Sequence, residues 1–329
     1  MMTKEVLGTR LHLQGLDTPG FETAAEMVRH FGAVQAQDFF GSLWAVGQRV
    51  KNATEQSVEA ALNDGSIVRS WPMRGTIHYT APEDLRWMLD LLAERAIAKS
   101  APYQLNVGLT KNDFTKSRKI LEKELQGKRI VDRNELYEIL QRKKIDTGNT
   151  RGLHIIGQLA REKVLCFGPR KGKQPTFVLL DEWIPATKAL SRDEALAGLS
   201  SMYFKSHGPA TVHDFAWWSG LTITEASRGM EMMGKIDFDQ PVKNKKPVVN
   251  LLPCYDEFLV AYKAREDMRI IFSPTIALNG QPVGTWKRTI TKKGVSIKTK
   301  LSEKISKQAN SVLQKQLDRY ADFIGYIRL

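Results

Sequence analysis

The residue types that most often carry out chemistry are present in this sequence, but they lack the spacing of familiar reactive sites. No H-x-x-x-H or HExxH pattern occurs, which disfavours a histidine metal site. The pattern G-x-x-x-x-G-K-[ST] is also absent, which excludes the usual nucleotide-hydrolysing loop. No lysine is singled out by its neighbours as a desolvated nucleophile. We therefore expect an activity that needs no metal and no cofactor. The histidines are His12, His30, His78, His154, His207 and His213.

Cysteine content and hydropathy narrow the class of protein. Cys166 and Cys254 lie far apart among apolar neighbours, so we expect two buried thiols and neither a disulfide framework nor a cysteine zinc site. No apolar run approaches the roughly 18 residues of a membrane span. The N-terminal stretch lacks the apolar core of a secretory signal. These features predict a soluble, cytoplasmic protein without a membrane partner.

One polar string, Gln35-Ala36-Gln37-Asp38, could act on a substrate. Residues two apart lie about 200° apart around an α-helix but point the same way in an extended segment, so a working pair requires an extended link after Gly32. A glutamine amide supplies an acceptor and a donor, which suffices to orient a water molecule, and it does not ionise. Alternatively, the two amides cap backbone groups at a helix junction. Asp38 is either the N-cap of the next helix or a carboxylate that supports the amides.

A second polar cluster lies on an alternating, strand-like stretch around residues 73–80. Arg74, Thr76 and His78 share one face of this stretch. They could line a site or contact phosphate, or they could be polar residues that only bond to their neighbours. The pair Trp217 and Trp218 falls at helical positions, which favours core packing over base stacking.

Positive charge is the clearest sign of a partner. The chain has 49 Lys and Arg against 36 Asp and Glu, a net charge of +13, and the excess is concentrated in residues 101–175 and 286–319. Two basic tracts on a near-neutral body indicate contact with a polyanion. A merely solvated basic surface is the plainer alternative. Anionic lipid is less favoured, because neither tract is an amphipathic helix with bulky apolar anchors. The candidate phosphate contacts are Arg170, Lys171, Lys173, Lys287, Arg288, Lys292, Lys293, Lys298 and Lys300.

The elements that must position these residues are mainly helices. After residue 110 a helix, a turn, a second helix and a two-stranded ribbon with a basic tip at 168–175 follow in the order of a winged helix. The alternative is a helical hairpin beside an unrelated ribbon. A similar order returns over 191–250, with strands around residues 244–252. Short extended pieces, including 256–262 and 269–272, then precede a closing helix.

Four blocks of the sequence are distinctive: GAVQAQDFFGSLWAVGQR, SWPMRGTIHY followed by EDLRWML, GPATVHDFAWWSGL, and LLPCYDEFLVAYKAR. Strings within them, such as Trp-Pro-Met-Arg-Gly-Thr and Trp-Trp-Ser-Gly, are rare. The blocks resemble those of one known family, the AlkZ/YcaQ-like DNA glycosylases, and occur in that family's order over nearly the whole chain. Members of this family are tandem winged-helix proteins that excise alkylated bases and unhook interstrand crosslinks.

The resemblance implies an α+β, mainly helical fold of about three winged-helix units and a small C-terminal β-barrel-like domain. It implies double-stranded DNA as the partner, and we expect a monomer. The expected domains are 1–105, which carries the Gln-x-Gln element, 106–188 with the basic wing, 189–250, and 251–329 with the terminal helix.

The resemblance also implies a catalytic Gln-x-Gln element, which falls on Gln35 and Gln37. One branch of the family has Asp in the third position, but here the acid comes one residue later, at Asp38. The implied activity is that of a monofunctional glycosylase, which uses a glutamine-positioned water to remove cationic alkylated purines: N7-alkylguanine, N3-alkyladenine and N7-linked crosslinks. Asp38, Arg74, Thr76 and His78 would support the site. The alternative is a non-catalytic winged-helix DNA-binding protein or transcriptional regulator.

Overall fold

The computed structural model describes residues 3–235, 242, 246–263 and 268–329, and it has an α+β architecture that is about half helical, with small antiparallel sheets. The helices are Lys4–Leu13 (α1), Ala24–Phe31 (α2), Phe39–Gly47 (α3), Glu55–Asn63 (α4), Pro82–Asn106 (α5), Lys111–Glu124 (α6), Arg133–Arg142 (α7), Arg151–Arg161 (α8), Leu180–Trp183 (α9), Arg192–His207 (α10), Val212–Ser219 (α11), Ile223–Met233 (α12), Glu257–Val260 (α13) and Lys307–Phe323 (α14). The strands are Val34–Gln35 (β1), Val68–Met73 (β2), Thr76–Thr80 (β3), Val131–Asp132 (β4), Leu165–Lys171 (β5), Gln174–Leu179 (β6), Val249–Leu252 (β7), Thr275–Leu278 (β8), Gln281–Thr291 (β9) and Gly294–Leu301 (β10).

The chain divides into two compact units. The first combines the chain up to Ala60 with Leu196–Leu329, and the second is Ala61–Ala195. The Gln35–Asp38 string belongs to the first unit, and the cluster of Arg74, Thr76 and His78 belongs to the second.

A tight hairpin begins the second unit. Arg74 and Gly75 have φ values of 53° and 76° and join β2 to β3, with Met73 paired to Thr76. A two-residue turn with both φ values positive matches the twist of the flanking strands. The sequence predicts one continuous strand across Arg74, and this is wrong. Arg74 lies in the turn, while Thr76 and His78 remain on β3.

Three helices and a small sheet follow in the second unit. Helices α6, α7 and α8 pack with a three-stranded antiparallel sheet of order β4-β6-β5. Asp is a residue type that favours the N-cap position, so the sequence predicts a helix start at Asp132. Asp132 does cap α7, by accepting hydrogen bonds from the backbone N–H groups of Asn134 (2.9 Å) and Glu135 (3.0 Å). One apolar cluster fills the interior. Its central members are Leu121, Leu136, Ile155, Leu159 and Phe177.

Most of α8, the last of these three helices, is covered by protein. Helix α5 and strand β2 pack against α8, and the Gln104 amide donates to Gln158 Oε1 at 3.0 Å. Trp71 of β2 stacks on Phe167 of β5, with ring centroids 4.7 Å apart. Leu153, near the start of α8, stays exposed. The stretch of α8 from Ile155 to Ala160 is therefore packed inside the protein and cannot serve as a recognition helix in a DNA groove.

The first unit contains a four-stranded antiparallel sheet of order β10-β9-β8-β7. Helix α14 packs against β7 and α3, and the Tyr320 ring contacts Trp44 and Trp286 with centroids 5.0 and 4.8 Å away. Gly47 is required here, because a Cβ at this position would lie 2.1 Å from the Phe323 ring. This aromatic core joins the sheet to α3, the helix that follows the Gln35–Asp38 string.

The extended pieces expected at 256–262 and 269–272 are wrong in conformation. The structure has helix α13 at the first and a 3₁₀-helix, Met268–Phe272, at the second. Asp256 decides the first case: its carboxylate accepts from the Phe258 N–H at 3.0 Å, which starts a helical turn. Of the strands expected around 244–252, β7 is present, while residues 243–245 lie outside the described residues.

A buried ion pair ties α3 to the turn before α13. The Arg49 guanidinium donates to both carboxylate oxygens of Asp256, at 2.7 and 2.9 Å, and both side chains are at most 1% exposed. The Gln48 amide adds a bond of 3.1 Å to the same carboxylate. A doubly bonded, fully enclosed pair of this kind is strongly destabilising to break, because one charge is then left buried without its partner.

We predict that Arg49→Met lowers the free energy of unfolding by about 3–5 kcal/mol, since it leaves the Asp256 carboxylate uncompensated. Lys51→Met removes the exposed ion pair with Glu22 and serves as the control; its effect should be far smaller. Urea unfolding measures both variants. Equal losses in the two would show that the buried pair does not hold α3.

Candidate functional site

The Gln35–Asp38 string links two helices through the end of a strand and a bend. Gly32 ends α2 with a φ of 74°, β1 covers Val34 and Gln35, and α3 begins at Phe39. The expected extended conformation is present at Gln35, but the chain bends at Gln37, so the two amides do not lie on one extended segment. Gln35 is 9% exposed, whereas Gln37 and Asp38 are exposed. The link therefore has a buried anchor and a solvent-facing end.

Glu257 holds the buried end of the link. Its Oε1 accepts from the Gln35 backbone N–H at 2.7 Å, and its Oε2 accepts from the Trp218 indole N–H at 3.0 Å. His207 Nε2 lies 3.6 Å from the same Oε2. All three side chains are 0 to 1% exposed. Burial lowers the pKa of His207 below its ordinary value, only partly opposed by the Glu257 carboxylate, so the ring is neutral near pH 7.

Ser206, His207 and Glu257 have the order of a nucleophilic triad, but they are enclosed. Ser206 Oγ lies 2.7 Å from His207 Nδ1 and donates to the Met202 carbonyl at 2.6 Å. Ser206 is fully buried, so no substrate reaches its hydroxyl. The set is a supporting network of the core and not a nucleophile.

Two adjacent acidic residues therefore hold the chain on both sides of Gln37. Glu257 binds the strand before it, and Asp256 binds Arg49 at the C-terminal end of the helix after it. Sequence reasoning missed both residues. The available signal was a pair of consecutive carboxylates inside the apolar string LLPCYDEFLVAY, because charges in such surroundings are almost always paired.

Asp38 occupies the N-cap position of α3, but its side chain makes no cap hydrogen bond. The carboxylate instead lies over Gly41, where an added Cβ would come within 2.5 Å of Oδ2 and 3.2 Å of Pro253. Burial, and then the Asp38 charge, raise the pKa of Cys254. Cys254 is only half-buried, while Cys166 is buried as expected. The Asp38 carboxylate is thus held close to the start of α3, beside Gln37.

Arg288 is the member of the C-terminal basic tract that lies beside this helix start. Its guanidinium donates to the Tyr320 hydroxyl and lies 5.7 Å from the centre of the Phe40 ring. Burial raises the pKa of Tyr320 to about 12, although Arg288 opposes the shift. The phenol therefore stays neutral, and the Arg288 guanidinium lies beside the start of α3.

The other residues of the C-terminal tract lie exposed on the hairpin of β9 and β10. Lys287 and Lys298 are direct cross-strand partners. Like charges placed opposite each other destabilise a sheet, so this arrangement favours a surface that meets an anion. The exposed lysines of the tract are Lys287, Lys292, Lys293, Lys298 and Lys300.

In the second unit, Arg74 and His78 are in contact. The Arg74 guanidinium is 3.2 Å from His78 Nε2, and His78 Nδ1 is 3.0 Å from the Thr76 carbonyl. Arginine can only donate, so Nε2 accepts and Nδ1 carries the proton of a neutral ring. His78 is fully buried. The Thr76 hydroxyl has no hydrogen-bond partner among the described residues.

The basic wing is the tip of the β5–β6 hairpin. Lys171 and Lys173 are exposed on either side of Gly172, which has a φ of 60°. Arg170 is half-buried and donates to the Lys173 carbonyl at 2.5 Å. The two lysines are thus the wing residues that present their charges to solvent.

Trp218 is buried against Phe215, as the core interpretation predicts, whereas Trp217 is 40% exposed and donates to the Val260 carbonyl at 3.1 Å. Within the described part of the chain, no group of three or more His, Cys, Asp or Glu side chains is placed to hold a metal ion. None of the described helices is both long and apolar enough to cross a membrane.

Comparison with known proteins identifies the family. A family model described as "DNA glycosylase AlkZ-like" matches residues 28–323. The chain belongs to the AlkZ-like family of DNA glycosylases. A curated protein of Streptomyces sahachiroi, named interstrand DNA cross-link repair glycosylase, is 23% identical, with 86% of this chain and 87% of that protein covered. The solved structure of S. sahachiroi DNA glycosylase AlkZ has a TM-score of 0.75 and 21% identity over 100% of this chain and 99% of that one. This chain is accordingly a DNA glycosylase, and the structural match shows a shared fold.

We predict that Glu257→Gln slows base release by this AlkZ-like glycosylase by on the order of 10- to 100-fold, with little change in affinity for DNA. The amide NH₂ would face the Trp218 indole N–H, so the link would shift, and small misplacements of this kind are costly to catalysis. Single-turnover base release from N7-methylguanine duplex measures the rate.

Tyr262→Phe is the matched control. The Tyr262 hydroxyl belongs to the same buried region, accepting from Gln14 at 3.0 Å and donating to the His207 carbonyl at 2.8 Å, without contacting the Gln35 backbone. It should lose stability while keeping its rate. Each variant is assayed at the same number of degrees below its own melting temperature. If the rate of base release then falls equally in both variants, Glu257 acts through stability alone.

For the wing, we predict that the triple change of Arg170, Lys171 and Lys173 to Ala flattens the salt dependence of duplex binding. Each phosphate contact contributes about −0.9 to the slope of log K against log salt. Fluorescence anisotropy at several salt concentrations measures the slope. An unchanged slope would remove the wing from the interface and leave the β9–β10 lysines as the main footprint.

Proposed function

We propose that this glycosylase hydrolyses the N-glycosidic bond of cationic alkylated purines in duplex DNA, with a water molecule positioned by Gln37. The observation that carries the proposal is the exposed Gln37 amide on a link whose other end is fixed by a buried bond from Gln35 to Glu257. A fixed backbone and a solvent-facing amide are what is needed to place water reproducibly.

The chemistry of the substrate fits a site whose water-positioning group does not ionise. A purine alkylated at N7 or N3 carries a positive charge and leaves as a neutral base, so it needs no general acid. The enzyme must place water beside the anomeric carbon and tolerate an oxocarbenium-like sugar. The Gln37 carbonyl accepts from the water, Gln35 supports the link and the flanking DNA, and the Asp38 carboxylate favours the developing positive charge.

This assignment predicts selectivity by leaving group. Normal bases and neutral damaged bases require stronger acid-base help, so the site should not release them. The lesions that it should release are N7-alkylguanine, N3-alkyladenine and N7-linked interstrand crosslinks. The name of the S. sahachiroi relative favours including the crosslinks.

We propose double-stranded DNA as the partner of a monomeric enzyme, bound through phosphate contacts from the wing and the β9–β10 hairpin. The order α6, β4, α7, α8, β5, β6 with sheet order β4-β6-β5 supports a winged helix within the proposed domain 106–188. Because α8 is largely covered, we assign the wing, and not α8 as a recognition helix, to contact with the duplex. The four-stranded sheet would form the core of the proposed C-terminal β domain.

The roles of the hairpin residues follow from their contacts. His78 is buried and bonds to Arg74 and to the Thr76 carbonyl, so we assign His78 and Thr76 to the support of the β2–β3 hairpin. Arg74, in the turn, is the member of this cluster that we assign to phosphate.

We predict that Gln37→Ala lowers the single-turnover rate of base release by on the order of 10²-fold or more, while the affinity for duplex changes little. An interaction made mainly in the transition state affects the rate and not the binding. The substrates are duplexes with N7-methylguanine, N3-methyladenine or an N7-linked crosslink. Gln56→Ala, an exposed glutamine on α4, is the control and should keep the wild-type rate.

Two companion variants sharpen the test. Gln37→Glu keeps an acceptor and adds a charge that favours the sugar cation, so it should retain partial activity. If Gln35→Ala and Gln37→Ala both release base at the wild-type rate, the active site lies elsewhere in the chain. If the wild-type protein binds duplex tightly but releases no base from any of the three substrates, the proposed reaction is wrong.

A further inference from the structure

Arg161, the last residue of α8, is a cation that the described protein does not neutralise. Its side chain is nearly enclosed, with the residue 7% exposed, and it makes no hydrogen bond or ion pair with the described residues. The Nε atom is fully enclosed without a partner. The Glu162 carboxylate, which acts on the Arg161 charge, is itself bound by the Gln158 amide at 2.8 Å and lies 3.9 Å from Arg118.

Arg151, at the other end of the same helix, shows the usual arrangement. Its guanidinium donates to the Val107 carbonyl at 2.7 Å and the Asp146 carbonyl at 3.0 Å, and it lies 3.8 Å from the Asp113 carboxylate. Buried arginines are normally compensated in this way, because an unpaired buried charge costs much more free energy than a paired one. Burial lowers the pKa of Arg161, yet a guanidinium stays protonated at neutral pH.

A glycine lies beside each end of the Arg161 guanidinium. The side chain folds back along α8, so that Nη2 lies 3.8 Å from where a Cβ on Gly157 would be. Nη1 lies 3.7 Å from the same position on Gly75, in the β2–β3 turn. His154 is half-exposed two turns earlier on this face of α8, and Arg74 adds a second guanidinium to the turn.

We propose that Arg161, with the Arg74–Gly75 turn, forms an anion site that receives a phosphate of the DNA backbone. A planar guanidinium without a hydrogen-bond partner among the described residues matches two phosphate oxygens, and the glycines at its two ends carry no side chain that would block an approach. The DNA source rests on the proposed function. Inorganic phosphate offers the same chemistry and is the other source that the experiment must separate.

The test is Arg161→Met, which removes the charge and keeps the volume. We expect the variant to melt at a higher temperature than wild type without DNA, because an uncompensated charge is gone. We also expect its slope of log K against log salt for duplex binding to be shallower by about 0.9. A site built for a ligand gives this combination of higher stability and weaker binding, whereas a structural arginine does not.

Arg151→Met is the matched control, with the same change of charge on the same helix. It should melt at a lower temperature, because Asp113 and the two carbonyls lose their partner, and its salt slope should match wild type. Arg161→Lys keeps the charge and loses the planar donor pair. It should bind duplex less tightly than wild type with an unchanged slope, which covers the case in which Arg161→Met does not fold.

Three results would overturn the proposal or its DNA source. A lower melting temperature and an unchanged salt slope for Arg161→Met would make Arg161 structural. The site would belong to a free anion if inorganic phosphate, compared with chloride at equal ionic strength, raised the melting temperature of wild type but not of Arg161→Met. In that case the slope of log K against log salt for duplex binding would be the same in the two proteins. An Arg161→Lys variant that binds duplex as tightly as wild type would exclude paired recognition. Each readout is binding or melting, so failure of the glycosylase reaction would be seen separately, in base release by the wild-type protein.

Discussion

The buried carboxylates of Asp256 and Glu257 are the constraint on which the first unit depends. Two adjacent charges enclosed by apolar chain are tolerable only with full compensation, which Arg49 supplies to Asp256 and the Gln35 and Trp218 N–H groups supply to Glu257. Satisfying them fixes the strand before Gln37 and the C-terminal end of the helix after it. Because the buried charges must be neutralised, the backbone on both sides of Gln37 is held in one position.

This arrangement separates rigidity from reactivity. Glu257 and His207, the ionisable groups at the buried end of the link, are sealed in the core, while the Gln37 amide is exposed and has no charge to titrate. For a leaving group that is already cationic, a well-placed neutral amide is sufficient, and a strong acid is unnecessary. The burial pattern therefore agrees with an enzyme whose selectivity comes from the reactivity of its substrate.

Several charges elsewhere in the molecule are not compensated in this way. Lys287 faces Lys298 across the β9–β10 hairpin, and Arg161 is enclosed without a partner among the described residues. Each of these arrangements lowers the stability of the protein in the absence of DNA. Inside the first unit, by contrast, the Arg49 guanidinium donates to both carboxylate oxygens of Asp256. The protein compensates this charge, which holds its backbone, whereas Lys287, Lys298 and Arg161, which we assign to phosphate, lack such compensation among the described residues.

The sequence by itself determined the helical periods, the Asp132 cap, the extended conformation at Gln35, and, through four ordered motif blocks, the family. These features depend on the local spacing of residues or on short motifs that can be recognised directly in the sequence. It could not reveal the Arg74–Gly75 turn, because alternation continues through it, nor the helix at Asp256, where one capping carboxylate overrides an extended-looking run. Only the tertiary structure brought Glu257 to the Gln35 backbone, over 222 residues away, and covered α8 with α5 and β2. Burial and long-range pairing belong to the packed chain, so no local pattern encodes which charges find partners and which are left without them.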